Sequence, residues 1–524
     1  MTRKVIVLGI DGLSWKIIDN NIIPSLRGII KYSTYGILQL TIPPITGPAW
    51  VSFATGKNPG KHGCYDFLIP KDSLKKLKPI STKNIKSPTF YELLESQEKN
   101  IVLINLPCSH PPRIKNGVIV ADFLTGNDQK IYPKSLEQRF PEIKNYRLSP
   151  KGELMNDRRV KELVNDILEI EKIRFQIAKK LLKNIEWDLF FVLFSGTDWI
   201  QHLIYDKIVE NKETHAIKIY RYLDEIVKWF IENLPEDSVL MIMSDHGFDV
   251  YKRAININDW LVKNKFLELK EEKSTIYQHE VDKEIIKAKK RRLKINIPIF
   301  LVNIVQNFPQ LYKIYTYIKR MFKIEIGTKN YVPVIERTIA YCTITGSSNF
   351  SGIYINDNER FVDGIIKKEE YEKIREKIMS DLKKIKEIKN IWKKEEIYRG
   401  EQIINAPDII IKSECCILEK SYNHPLGKIC GHSINGIFIT YGKGIKKGCK
   451  IENARIIDVA PTILHIFGLP IPKDMDGRVL TEIFEPDSEF AKRVPKYVNP
   501  DYYEKLSEKQ RIKKKITKRM KKMK

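Results

Sequence analysis

Three apolar runs in this chain each stop at an acidic residue. Val5-Ile6-Val7-Leu8-Gly9-Ile10 runs into Asp11, Phe190-Phe191-Val192-Leu193-Phe194 leads to Asp198, and Val239-Leu240-Met241-Ile242-Met243 leads to Asp245. Short continuous apolar runs of this kind read as buried strands. Further strands are predicted at Gly36–Leu40, Asn100–Asn105, Gly117–Asp122, Gly352–Asn356, Asp408–Ile411 and Gly436–Thr440. Helical spacing is clearest over Asp157–Lys183, where Val160, Leu163, Ile167, Ile170, Ile173 and Ile177 share one face. Helices are also predicted at Ile23–Tyr32, at His215–Leu234, as a charged helix at Lys367–Ile388, and from Asp458 to a stop at Gly468. A short one at Ser52–Thr55 is closed by Gly56. Strands alternating with helices predict an α/β fold: a mostly parallel central sheet with helices on both faces. Ligands in such sheets collect beyond the carboxyl ends of the strands. The three acidic stops therefore converge on one edge.

The pattern breaks after residue 255. Lys287-Ala288-Lys289-Lys290-Arg291-Arg292 is a basic run, followed by the apolar stretch Ile295–Val305 with Pro298 inside it. An aromatic segment then passes through Tyr312, Tyr315, Tyr317 and Phe322. The expected organisation is a split catalytic core, residues 1–255 and 400–485, with an inserted α+β cap at 256–399 that sets substrate specificity. A basic tail fills 486–524. The cap has a second reading as a membrane-surface element, since basic, aromatic, amphipathic helices lie at interfaces. The tail, with Arg511-Ile512-Lys513-Lys514-Lys515 and Lys518-Arg519-Met520-Lys521-Lys522, reads as a frayed solvated helix or as an anionic-surface contact.

Length and charge narrow the class. The chain has 524 residues, 42% of them hydrophobic, enough for a sizeable core. Lys and Arg number 91 against 65 Asp and Glu, a formal net charge of +26. That excess favours anionic partners such as phosphate esters, nucleic acid or lipid headgroups, unless it reflects a Lys-rich proteome. The seven cysteines are odd in number and form no CxxC pair, which argues against a disulfide framework or a Cys-type zinc site. No run has the length of a signal-peptide core or a membrane span. A reduced, cytoplasmic protein is expected, with peripheral membrane association as the alternative and no specific protein partner.

The polar residues then suggest chemistry. Asp198 and His202 are four apart, so a helix starting at the strand end would set both on one face. Asp245 and His246 are adjacent and need a turn to converge. Carboxylate with neutral imidazole suits Zn²⁺ or Mn²⁺ better than the oxygen-seeking Ca²⁺ or Mg²⁺. Each motif alone has a plain structural reading; Asp11-Gly12, for example, is a common turn. Thr46, in Pro43-Pro44-Ile45-Thr46-Gly47-Pro48, reads as an exposed turn residue. It would be a nucleophile only where a base or metal removes its proton.

Taken jointly, these pieces resemble the type I phosphodiesterase/nucleotide pyrophosphatase family of the alkaline phosphatase superfamily. The resemblance is carried by Gly9-Ile10-Asp11-Gly12, by Pro44-Ile45-Thr46 through Thr55-Gly56, and by Asn58-Pro59-Gly60-Lys61-His62-Gly63. It continues in Gly196-Thr197-Asp198 with His202, Ser244-Asp245-His246-Gly247-Phe248 and Gly431-His432. It implies two divalent metal ions, Zn²⁺ or alternatively Mn²⁺, one on Asp11, Asp245 and His246 and the other on Asp198, His202 and His432. Thr46 between them would form a phosphothreonine. The expected partner is a small phosphate ester. One departure stands out: the Asn that well-known nucleotide pyrophosphatases carry shortly after the nucleophile is absent from Gly47-Pro48-Ala49-Trp50, so one oxyanion contact is either missing or supplied elsewhere, such as by the Thr46 N–H.

Around these residues, His62 reads as a structural hydrogen-bonder, His465 as a core histidine and Trp50 as a packing residue. His424 is an alternative to His432. Lys57 and Lys61 are open between a substrate and a solvated role. Alternatives within the fold are a phosphomonoesterase, a phosphonate hydrolase or a phosphoglycerate mutase-like phosphotransferase. In another class stands a nucleic-acid or anionic-membrane binding protein with a non-catalytic core.

Overall fold

A computed structural model describes residues 3–125, 130–155, 159–210, 212, 215–272, 294–295, 325–326, 330–344, 346–420 and 428–509. The basic run at 287–292, the aromatic segment through Tyr312 and Phe322, most of the stretch 295–305, His424 and the two basic clusters beyond 510 lie outside these residues.

Nine strands form the central sheet: β1 (Lys4–Ile10), β2 (Thr34–Gln39), β3 (Ile101–Ile104), β4 (Gly117–Val120), β5 (Ile131–Tyr132), β6 (Leu189–Phe194), β7 (Ser238–Met243), β8 (Asn435–Gly442) and β9 (Cys449–Arg455). Their order is β9-β2-β8-β7-β1-β6-β3-β4-β5. β1 runs parallel to both β6 and β7, and β3 parallel to β4 and β6. β8 is antiparallel to both its neighbours. The sheet is thus mostly parallel, as the alternation of elements predicts.

Both faces are covered. Along β1 the side chains alternate: Ile6, Leu8 and Ile10 join one apolar cluster, Val5 and Val7 the other. Period-2 alternation with apolar residues on both sides is what a doubly covered strand requires. The first face packs on helices α2 (Val160–Asn184), α3 (Gly196–Val209) and α4 (Ile217–Glu232). The second packs on α1 (Thr46–Thr55) and α5 (Val459–Ile466). Among the described residues, no helix is long and apolar enough to cross a membrane.

Three expectations need correction. Thr46 is not in an exposed turn: it is the first residue of α1, only 5% exposed. The charged helix ends at Leu382, because Ile388 opens a strand, Ile388–Lys393, paired with Ile409–Ser413. That partner strand, expected in the central sheet at Asp408–Ile411, belongs instead to a separate four-stranded sheet with Phe350–Ile355 and Ala340–Tyr341. A cluster of its own, including Ile353, Ile355, Ile378, Ile409 and Ile411, holds this second sheet.

Candidate metal-binding active site

Strand register brings the site together. Ile10 pairs with Phe194, and Gly9 with Met243, so β1, β6 and β7 end level. Asp11 follows β1 directly and its N–H donates to the Phe194 carbonyl at 2.9 Å. α3 starts two residues after β6, and its first turn holds Asp198 one turn ahead of His202. Asp245 and His246 fill the link from β7 to the strand Gly247–Tyr251. That strand pairs antiparallel with Ile429–Ser433, setting His432 opposite Phe248. α1 adds Thr46 from the other side of the sheet edge.

All seven residues meet. Asp11, Asp245 and His246 offer ligand atoms within 4.8 Å of one another, as do Asp198, His246 and His432. His246 Nε2 lies 3.3 Å from Asp11 Oδ1, 3.5 Å from Asp245 Oδ2 and 3.7 Å from Asp198 Oδ1. His202 Nε2 is 3.2 Å from Asp198 Oδ1 and 2.9 Å from His432 Nε2. Thr46 Oγ1 is 3.2 Å from His246 Nε2. The His246 and His432 rings stack, centroids 3.5 Å apart.

Backbone carbonyls fix which imidazole nitrogens face inward. His432 Nδ1 donates to the Pro44 carbonyl at 3.0 Å, and His246 Nδ1 to the Gly247 carbonyl at 3.2 Å. A carbonyl can only accept, so Nδ1 carries the proton in each ring and Nε2 is the nitrogen turned to the carboxylates. This is the orientation that metal-binding histidines take from an outer hydrogen bond.

The charges are not balanced from within. Burial, then Asp245 and Asp198, push the Asp11 carboxyl well above the usual carboxylate range. Burial also raises Asp245. Burial would raise Asp198 too, but His202 and His432 hold it well below that range. Burial, then His246, lowers His432 to about 3. Asp11 Oδ1, Asp198 Oδ1 and Asp245 Oδ2 are buried and accept no well-formed hydrogen bond. Two unit charges of like sign about 4 Å apart cost about 4 kcal/mol at an effective dielectric near 20. A cluster of buried acceptors with inward lone pairs is the donor set a divalent cation needs, and Asp with His suits Zn²⁺ or Mn²⁺.

The remaining sequence candidates sort themselves. His62 Nε2 bonds Ser52 Oγ at 2.7 Å, and its Nδ1 accepts from the Cys64 N–H. It is structural. His465 bonds the Phe490 carbonyl within the core, and Trp50 packs edge-on against Phe53 and Phe191. Lys57 and Lys61 are bound to Asp474 and Asp476, away from a substrate role. No side chain caps the α1 N-terminus, whose first N–H groups belong to Thr46 and Gly47. Sequence reasoning missed the supports: Thr197 Oγ1 donates to the Asp11 carbonyl at 2.5 Å, and Gln201 to the Gly12 carbonyl at 3.0 Å. Their only trace in the sequence is proximity to Asp198.

Fold and site together define an alkaline phosphatase-like core with metal-ligating residue types clustered at one sheet edge. The chain belongs to the type I phosphodiesterase/nucleotide pyrophosphatase family, whose model matches residues 5–298. Among solved structures it is similar to murine ectonucleotide pyrophosphatase/phosphodiesterase 5, with TM-score 0.53 and 12% identity over 90% of this chain and 96% of that one. It is similar to phosphonoacetate hydrolase from Sinorhizobium meliloti 1021, with TM-score 0.53 and 13% identity over 89% and 95%. It is also similar to the alkaline phosphatase PafA, with TM-score 0.53 and 14% identity over 92% and 99%. At these identities the likeness is one of fold. A curated relative, the 2,3-bisphosphoglycerate-independent phosphoglycerate mutase of Bacteroides thetaiotaomicron, is 49% identical over 49 residues, 9% of this chain and 10% of its own length. The chain thus spans about a tenth of that relative.

Proposed function

We propose that the protein hydrolyses small phosphate esters, diesters or pyrophosphates, with Thr46 as nucleophile in a two-metal site. The observation that carries this is Thr46 Oγ1 beside His246 Nε2, at the junction of two buried acceptor groups. Asp11, Asp245 and His246 would hold one divalent ion, and Asp198, His202 and His432 the other. Bound, such a pair lowers the pKa of a hydroxyl and offsets charge on a leaving oxygen.

The chain's own residues do the rest. Thr46 Oγ1 forms a bond to phosphorus as the P–O bond to the leaving group breaks. The departing alcohol or phosphate carries off the proton that the Thr46 hydroxyl gives up. Water then replaces Thr46 Oγ1 on phosphorus, which returns the free hydroxyl. The uncapped α1 N-terminus supplies backbone N–H groups to a phosphoryl oxygen, in the place of the missing Asn, because helix N-termini favour anions. Murine ectonucleotide pyrophosphatase/phosphodiesterase 5 has been solved as an inactive threonine-to-alanine form with AMP. That supports a threonine nucleophile and a nucleotide-sized ester here. The second sheet and residues 256–399 act in this reading as the cap that selects the ester.

The test is hydrolysis of bis-p-nitrophenyl and p-nitrophenyl phosphate with added Zn²⁺ or Mn²⁺. Thr46→Ala is expected to lower diester turnover on the order of 10³-fold or more, as nucleophile removal does. Wild-type preference for the monoester would move the protein to the phosphatase side. Metal-dependent turnover that survives Thr46→Ala would refute the covalent route.

A further inference from the structure

One carboxylate outside the site is bound to the element that carries two of its seven residues. Glu171 sits on α2, 3% exposed, on the face turned to the core. Its Oε1 accepts the backbone N–H groups of Ser195 at 3.0 Å and Gly196 at 2.7 Å. These are the first donors of α3, and the Ser195 side chain caps nothing. Arg174 Nη1 grips both Glu171 oxygens at 2.7 Å, and Arg174 Nε donates to Tyr146 Oη at 3.0 Å, all fully buried. The turn is also pressed onto α2: a Cβ on Gly196 would meet Ile167 Cγ2 at 2.7 Å. Two residues further on stands Asp198, and one turn beyond that His202.

We propose that Glu171 is a positioning residue for the second metal side. It anchors the first turn of α3 from α2, so that Asp198 Oδ1 and His202 Nε2 meet His432 Nε2 at 3.3 and 2.9 Å rather than sampling that turn freely. A carboxylate at a helix N-terminus is favoured by the aligned peptide dipoles. Arg174 holds its orientation through charge-assisted bonds from Nη1 to both oxygens, with Arg174 itself held by Tyr146. The Asp11 side depends on it less: Asp11, Asp245 and His246 follow other strands, and α3 reaches that side only through Thr197 and Gln201 on the Asp11 and Gly12 carbonyls. This inference rests on the metal reading of the site.

Two variants test it. Glu171→Asp withdraws the carboxylate by about 1.5 Å, one carbon–carbon bond. Glu171→Gln keeps an acceptor at full length and leaves Arg174 without its counter-charge. The full-length protein is stripped with a chelator and titrated with Zn²⁺ by calorimetry, and metal-free hydrogen exchange is followed over residues 195–202. In Glu171→Asp one of two ions is expected to bind 10–100-fold more weakly, the size of effect that outer partners of metal ligands have. The other ion is expected to lose clearly less, because only backbone carbonyls tie its ligands to α3. Exchange over 195–202 rises while β6 and β7 stay protected. Glu171→Gln melts lower yet holds both ions as wild type does. Ion affinity that falls in step with Tm across the variants would make Glu171 a fold anchor only and overturn the proposal. Unchanged exchange and unchanged affinity in Glu171→Asp would overturn it too. A wild type that binds no divalent ion sinks the metal reading instead, and hydrogen exchange alone then decides the positioning role.

Discussion

His62 shows how a histidine inside a family motif can serve the fold alone. Burial lowers its pKa to about 3. It is neutral when folded, while an unfolded histidine takes up a proton near 6.5. A folded pKa below the unfolded one gives stability present above the unfolded value and lost as pH falls toward the folded value. The window runs from about 6.5 down to about 3. His62 should therefore account for about 2 kcal/mol of lost stability between pH 7 and pH 5. Urea unfolding of His62→Gln at the two pH values checks this. The variant should be weaker at pH 7 by about 1–3 kcal/mol, from disturbed bonds to Ser52 and Cys64, but lose less on acidification. An acid slope equal to wild type would refute the assignment.

At the scale of elements, α1 places Thr46, the proposed nucleophile, and its end is as defined as its start. Gly56 closes it with φ 66°, and a Cβ there would come within 3.1 Å of Met475 Sδ. Gly56→Ala should cost about 1 kcal/mol or somewhat more, read as a shift in the urea midpoint. Most elements were legible in the sequence, since strand ends and the Asp198–His202 spacing follow directly from periodicity. The start of α1 was not. Pro44 and Pro48 suggested a turn, yet Pro48 lies in the first helical turn, where a missing N–H costs nothing. The overrun of the charged helix has another cause. Its period continues to Ile388, but pairing with Ser413 overrides local propensity. Glu171 left a fainter trace. It lies on the stripe of Ile167, Ile170, Arg174 and Ala178, a charge among residues whose spacing marks a buried face.

For the whole molecule, the cost of concentrating acceptors in one place sets the response to metal. Asp11, Asp198, Asp245 and two stacked imidazoles converge from three strands and one strand pair. Their repulsion opposes folding in the stripped protein. A ligand that binds only the native state stabilises it by RT ln(1 + [L]/Kd), about 2.7 kcal/mol at a hundredfold excess over Kd. Chelation should therefore lower Tm by several degrees, and Zn²⁺ or Mn²⁺ should restore it. A Tm indifferent to chelator and metal would count against the donor set as a cation site. Sheet membership was the part of the architecture least legible in the sequence. An apolar run such as Asp408–Ile411 marks a strand but does not name its neighbour, and only the pairing with Phe350–Ile355 places it outside the central sheet.

β8 sits between β7 and β2, and β2 reaches the rest of the sheet only through it. During synthesis β7 leaves the ribosome about 200 residues before β8 does, an interval of about 10–40 s. Over that time β7 and β2 each present an unpaired edge, and the segment that brings His432 has not yet been made. Nascent chains would then lack a complete candidate site. They would also be at their most aggregation-prone, so chaperone demand should peak between the emergence of residue 243 and that of residue 442.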